Sequence, residues 1–132
     1  MTWETMTGDI IIQDGTFAFL FKASGTIYKG QAVYVKADNA VTACTADASE
    51  CEAIGVAIDD ASHGSQVGIA GPGNIVRCAG DADIAPGTLV YGDADGSFDA
   101  TAGNATKVGG VVVKSDGTVI SSSYYDTQIM VL

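Results

Sequence analysis

The stretch KGQAVYVKADNAVTA, Lys29 to Ala43, returns in similar form as PGTLVYGDADGSFDA, Pro86 to Ala100. In both copies a glycine precedes a Val-Tyr pair, an Ala-Asp turn follows, and a second short apolar run comes after the turn. Short apolar runs interrupted by such turn residues are typical of β-hairpins rather than helices. The chain therefore uses one β motif twice.

The alignment of the two copies predicts how they are used. Gly30, Val33, Tyr34, Ala37 and Asp38 align with Gly87, Val90, Tyr91, Ala94 and Asp95, and, after a two-residue length difference, Gly55 and Val56 align with Gly110 and Val111. In each copy the returning strand carries an apolar residue, Val41 or Phe98, toward the core. One such unit cannot cover its own apolar face, whereas two units related by a pseudo-dyad can close a barrel and leave few open edges.

Twelve short segments along the chain predict strands. They are DIIIQD, TFAFLFKA, QAVYVKA, AVTACTA, EAIGVAID, QVGIAG, NIVRCA, TLVYGDA, SFDATA, KVGGVVVKS, GTVISSS and TQIMVL. No helix-period apolar pattern reaches ten residues, although residues 46–51 could form one short helix. We expect an all-β fold, a small β-barrel domain at 25–132 with pseudo-repeats at about 25–70 and 80–120, preceded at 1–24 by an N-terminal arm and the first strand or strands.

The charge balance limits the partners. The chain contains sixteen acidic and six basic residues, and its net charge is −10. Because no basic surface is available to neutralise phosphates, we expect neither direct nucleic-acid binding nor binding to anionic membranes. The start lacks the pattern of a signal peptide, and no apolar run approaches the roughly 18 residues that span a bilayer, so we expect a soluble product made in the cytoplasm. Such acidity also suits a high-salt environment.

Nucleophilic catalysis would depend on His63, the single histidine, with Ser62, Ser65, Asp59 and Asp60 near it in the sequence. These residues lie in a polar stretch between two predicted strands, so we expect a solvated turn rather than a catalytic triad. The three cysteines, Cys44, Cys51 and Cys78, include no CxxC pair, which disfavours a disulfide framework or a zinc site. We expect small, half-buried apolar residues there, and whether Cys44 and Cys51 pair is left open.

The best metal candidate is YGDADGSFDA, in which Asp93, Asp95 and Asp99 could offer oxygens to calcium. An EF-hand loop counted from Asp93 would need a glutamate at its twelfth position, where Asn104 stands. An Asp-Gly hairpin with solvated carboxylates explains the same residues. The glycine stretches at 69–75 and 108–110 lack the pattern of a phosphate loop and predict a hairpin turn and a strand glycine. We expect no cofactor and no enzymatic activity.

With these elements in order, the sequence resembles the tailed-phage capsid decoration, or cement, proteins. The resemblance covers about Gly25 to Val113 and rests on KGQAVYV, AIGVA, SHGSQVGI, GNIVRCA, PGTLVYGDADG and VGGVVV in that order, together with the duplication. It implies a small β-barrel or tulip-like domain that forms a homotrimer, sits on the outer surface of the virion, binds the major capsid protein and stabilises the head. Members of the family are not enzymes.

The N-terminal and C-terminal segments are longer than the family's minimal form, and this predicts contacts particular to this chain. We expect the N-terminal arm to meet the capsid through Trp3, Ile10, Ile11 and Ile12, since aromatic and aliphatic groups dominate interface energetics and an extended arm can add a strand to a sheet edge. The same DIIIQD segment could instead be an ordinary first strand of the barrel. The acidity would suit a virus whose host lives in salt.

Two other functions remain open at this stage. One is a calcium-dependent or glycan-binding β-module on a virion or cell surface, which the acidic turns would suit. The other is a biotinyl- or lipoyl-carrier barrel, which shares the doubled β pattern. Lys36 is not on the hairpin tip that a modified lysine requires, so the carrier fits poorly.

Overall fold

The computed structural model describes residues 10–13, 18–44, 53–80, 84–93, 96–100, 107–113, 119–121 and 124–132. Their strands are β1 (Ile11–Gln13), β2 (Ala18–Ala23), β3 (Ala32–Ala37), β4 (Ala40–Ala43), β5 (Gly55–Ala57), β6 (Gln66–Ala70), β7 (Ile75–Gly80), β8 (Leu89–Gly92), β9 (Phe98–Asp99), β10 (Lys107–Val113), β11 (Val119–Ser121) and β12 (Tyr124–Val131). Each segment predicted as a strand overlaps one of them, so the all-β prediction is confirmed. The helix predicted at 46–51 lies outside the described residues. Within the described ranges, no helix is long and apolar enough to span a bilayer.

The strands close into two barrels of identical topology. Barrel 1 has the strand order β2-β4-β3-β5-β6, and barrel 2 has the order β7-β9-β8-β10-β12, closed by pairing between β7 and β12. In barrel 1 the β2–β4 pair is parallel and the other pairs are antiparallel. Barrel 2 repeats this with a parallel β7–β9 pair. The predicted pseudo-repeat is confirmed, and each unit closes a barrel of its own.

The register of the two barrels corrects one detail of the alignment. Val33 pairs with Gly55, and its equivalent Val90 pairs with Gly109, so Gly109 rather than Gly110 matches Gly55. A Cβ on Gly55 would overlap the carbonyl oxygen of Ala70, and a Cβ on Gly109 would overlap that of Met130. The close approach of a neighbouring strand requires glycine at both positions. The sequence could not show which of two consecutive glycines meets it.

Two buried clusters form the core. The interior of barrel 1 contains Ala23, Ile27, Val33, Val41, Ala57, Ala61, Val67 and Ile69. The second cluster fills barrel 2 and continues onto barrel 1; its members are Ile10, Ala32, Cys44, Val56, Ala70, Val76, Cys78, Ile84, Val90, Phe98, Ile129 and Val131. Each fully buried Val or Ile stabilises the fold by about 1.5–3 kcal/mol relative to an exposed one. Because the second cluster draws on both barrels, they pack as one unit.

The connection between the barrels is the turn from Gly71 to Asn74. The Asn74 side-chain amide is fully buried and donates to the carbonyl oxygen of Gly71 at 3.0 Å, while the main-chain carbonyl of Asn74 accepts from Val131 at 2.9 Å. The sequence predicted a hairpin turn at 69–75, and this is wrong, because β6 and β7 belong to different barrels. The turn passes the chain from the end of one repeat to the start of the next.

A second contact between the barrels involves Gly96. Its N–H donates to the carbonyl oxygen of Cys44 at 2.7 Å, and its φ is +75°. A Cβ there would lie 2.6 Å from the Cβ of Gln31, which is too close for any other residue. Asn39 occupies the equivalent turn of barrel 1 and also has a positive φ, 54°. Both turns therefore contain a residue with positive φ, and the turn of barrel 2 is the one that lies in close contact with the other barrel.

Candidate functional site

The predicted capsid-contacting residues divide between described and undescribed parts of the chain. Trp3 lies outside the described residues. Ile10 is 2% exposed and belongs to the core cluster of barrel 2. Ile11 and Ile12 lie in β1, which pairs with β7 through Ile11 and Val76. This segment forms a strand of the fold, the alternative that the sequence left open, and its contact with a capsid stays a prediction.

The acidic turn predicted as a calcium candidate is built mainly from main-chain hydrogen bonds. The N–H of Asp93 donates to the carbonyl oxygen of Ser97 at 2.9 Å, and the carbonyl oxygen of Asp93 accepts from Gly96 at 3.2 Å. Asp99 lies in β9 opposite Tyr91, and Asp95 lies outside the described residues. Within the described part of the chain, no three histidine, cysteine or acidic side chains converge on a metal-sized site.

The polar residues around His63 hold turns together. The Nδ1 atom of His63 accepts the N–H of Gly25 at 2.9 Å. Asp60 accepts the N–H of Lys29 at 3.0 Å, and Asp59 accepts that of Gly68 at 3.1 Å. The hydroxyl oxygens of Ser62 and Ser65 lie 3.2 Å apart, within hydrogen-bond distance of each other. His63 and Asp60 thus connect their loop to the segment that contains Gly25 and Lys29.

The cysteines occupy two different chemical states. Cys78 is a free, fully buried thiol; burial raises its pKa far above the ordinary value, and the negative charge of Asp126 raises it further. Cys44 is disulfide-bonded, and Cys51 lies outside the described residues. This corrects the expectation that the cysteines serve only as small apolar residues. Sequence spacing could not decide the point, because a disulfide requires two Cα atoms to lie within about 7 Å of each other.

Exposed apolar side chains mark the surface that sequence reasoning missed. In barrel 1, Phe19 is 53% exposed, Leu20 is 67% exposed and Val35 is 49% exposed. The ring of Phe19 lies against Gly71, where a Cβ would come within 2.8 Å of it. The signal was the run Phe19-Leu20-Phe21: alternation in a strand turns successive side chains to opposite faces, so three large apolar residues in a row cannot all face one core.

At the equivalent place on barrel 2 the surface is polar. Leu20 pairs with Gly68 in barrel 1, and Arg77 pairs with Gln128 in barrel 2 at the matching register. The Arg77 guanidinium forms an ion pair with Asp126, and both side chains are 20% exposed. Nε of Arg77 donates to Oδ1 of Asp126 at 3.3 Å in the same pair. The same strand position therefore carries an exposed leucine in one barrel and a paired charge in the other.

Comparisons with known proteins find matches among solved structures. No protein-family model matches the sequence, and no curated protein matches it. Among solved structures, the chain is similar to the N base of the head fiber gp8.5 of bacteriophage phi29, with a TM-score of 0.57 and 18% identity. The match covers 86% of this chain and 92% of that one. At this identity the likeness shows a shared fold alone.

Proposed function

We propose that this chain is a structural protein of a tailed virus that binds the outer surface of the head. The observation that carries the proposal is the fold shared with the phi29 head fiber N base over 86% of the chain. The order of motifs that resembles the capsid decoration proteins supports the same function, because it depends on the sequence and not on the fold. In this proposal the protein works by binding and not by catalysis.

In this proposal the chain acts as a homotrimer on the major capsid protein and stabilises the shell. A protein that binds only the assembled head stabilises it by mass action, and a trimer at a threefold junction adds buried area between neighbouring subunits. The exposed apolar residues of barrel 1 provide surface for such a contact. The net charge of −10 favours solubility and disfavours nonspecific association before the head is bound.

The test is a binding assay on heads of the virus that encodes the chain, assembled without it. We expect the purified chain to cosediment with expanded heads, to saturate at multiples of three copies per threefold position, and to raise the temperature at which the heads release DNA. Heads incubated with an unrelated acidic β protein of similar size serve as the control. Absence of saturable binding to heads at both low and molar salt would contradict the proposed function.

The trimer is tested separately by light scattering of the free chain. We expect a mass three times that of the 13.4 kDa chain, with the trimer strengthened at molar salt, because screening reduces repulsion among three acidic subunits. A monomer at every salt concentration would restrict the trimer to the capsid surface and would contradict a preformed one.

A further inference from the structure

On the side away from β6, part of strand β2 has no strand partner among the described residues, and this part is called the open edge of β2. On one side it pairs with β6 along Ala18 to Lys22, but on the other side β4 reaches only Lys22 and Ala23. The N–H of Lys22 donates to Asn39 on the β4 side, and the N–H of Ala23 donates to Ser65 on the β6 side, each at 2.8 Å. Main-chain groups alternate along a strand, so those of Leu20 and Ala18 point away from β6. None of the described residues pairs with them.

The same edge in barrel 2 is covered. Arg77, the equivalent of Leu20, donates its N–H to the carbonyl oxygen of Ile10 at 2.9 Å. Ile75, the equivalent of Ala18, pairs with Gln13. β1 therefore occupies on β7 the position that no described residue occupies on β2. The chain itself shows which kind of segment this edge accepts: a short, antiparallel strand rich in isoleucine.

The side chains beside the open edge match that occupant. Phe19 and Leu20 are 53% and 67% exposed, and the run from Ala18 to Phe21 contains neither a charge nor a proline. Proteins usually protect an exposed edge with lysine, proline or a bulge, because an uncovered apolar edge pairs with other chains. An extended segment with aliphatic side chains would satisfy the free main-chain groups and cover Leu20 at the same time.

We propose that the open edge of β2 is a docking site for an extended strand of the capsid subunit, which pairs with Ala18 and Leu20 and covers Leu20 and Phe19 with aliphatic side chains. This inference rests on the proposed function, since it names the partner's segment. The net charge of −10 favours a segment flanked by basic residues. A second copy of the chain is a poorer occupant. If its β1 left β7 to pair with β2 of another copy, the edge of that β7 and the buried Ile10 would become exposed.

The experiment uses a fluorescent synthetic peptide with the sequence of residues 8–14 and two lysines added at each end, titrated against the full chain. The decisive variant is Leu20→Pro, since proline removes only an N–H that has no partner in the described part of the chain, and proline is tolerated at strand edges. The matched control is Leu20→Ala, which shortens the side chain but keeps the N–H. We expect Leu20→Pro to bind the peptide at least about tenfold more weakly than Leu20→Ala. Ala18→Pro, at the first residue of β2, serves as a second variant if Leu20→Pro does not fold.

Amide hydrogen exchange provides the second readout. In the free chain we expect the Leu20 amide to exchange quickly and the Arg77 amide slowly, and we expect the peptide to protect Leu20. Binding that is unchanged in the proline variants, absence of binding to the native chain, or slow exchange of Leu20 without peptide would each overturn the proposal. A dimer or trimer of the free chain that Leu20→Pro dissociates would also overturn it, in favour of a second copy. None of these outcomes alters the test of the proposed function on whole heads.

Discussion

Barrel 1 and barrel 2 have the same strand order and the same single parallel pair, but they differ at the edge of their first strand. In barrel 2 this edge is covered by β1, and Arg77 beside it is paired with Asp126. In barrel 1 no described residue covers this edge, and Leu20 beside it is exposed. The inward positions are apolar in both barrels. The outward positions depend on what each barrel contacts, and there the two copies have diverged.

The largest difference in the interior is at the equivalent positions of Val41 and Phe98, both fully buried. We expect Phe98→Ala to lower the free energy of unfolding by about 3–5 kcal/mol and Val41→Ala by about 2 kcal/mol, because the larger side chain leaves the larger cavity. Urea unfolding followed by tyrosine fluorescence and by circular dichroism measures both values.

The same experiment tests whether the barrels unfold together. The core cluster that joins them predicts one coincident transition in both variants. Two separate transitions in Phe98→Ala would show that barrel 1 is stable without barrel 2 and would contradict a single cooperative unit.

The next largest effect on stability is expected at the two equivalent turns, which contain Asn39 and Gly96. We expect Gly96→Asn to destabilise the fold by about 1–3 kcal/mol, because its Cβ would collide with Gln31. The reciprocal change Asn39→Gly should alter stability by less than about 1 kcal/mol, since glycine relieves the positive φ but frees the unfolded chain. Thermal unfolding of the two variants checks the asymmetry; equal losses would show that Gln31 moves aside.

Phe21 of β2 and Cys78 of β7 are also equivalent, and only the second can ionise. Because the pKa of Cys78 is raised in the folded chain, the unfolded chain loses its thiol proton first as the pH rises. Stability is therefore fully retained below the ordinary thiol pKa of about 8.5 and falls above it by up to about 1.4 kcal/mol per pH unit. Urea unfolding between pH 8 and 10 should show this fall, and the stability of Cys78→Ala should decrease less steeply over the same range. If the stabilities of the two proteins decrease in parallel with pH, other groups cause the fall.

The smallest expected effect concerns the hydrogen bond between Gly25 and His63 in barrel 1. We expect His63→Ala to lower the free energy of unfolding by about 0.5–1.5 kcal/mol, the contribution of one hydrogen bond. The N–H of Gly25 would lose its imidazole acceptor and would be hydrogen-bonded to water instead. Hydrogen exchange at Gly25 should accelerate while exchange in barrel 2 stays unchanged. A decrease of more than about 3 kcal/mol in the free energy of unfolding would contradict this, because it would show that the whole barrel depends on this hydrogen bond.

The sequence was sufficient for features that depend on local pattern. Every predicted strand segment overlaps a strand, because alternation and turn residues act over a few neighbours. The duplication predicted equivalent buried residues, Val33 with Val90 and Val41 with Phe98, since each faces the interior of its own barrel. The extent of β12 was underestimated, because Tyr124 and Tyr125 enter the strand only through pairing with β11 and β7.

What the sequence by itself determined is an acidic, all-β chain made of one motif used twice, because alternation, turn residues and charge are written in neighbouring positions. Only the tertiary structure decided that each copy closes its own barrel, that β1 joins the second barrel although it precedes the first, and that the edge of β2 is left open. The physical reason is that strand pairing joins residues far apart in the chain. Whether a main-chain group finds a partner depends on where another strand ends in space, and this is not encoded in any single segment.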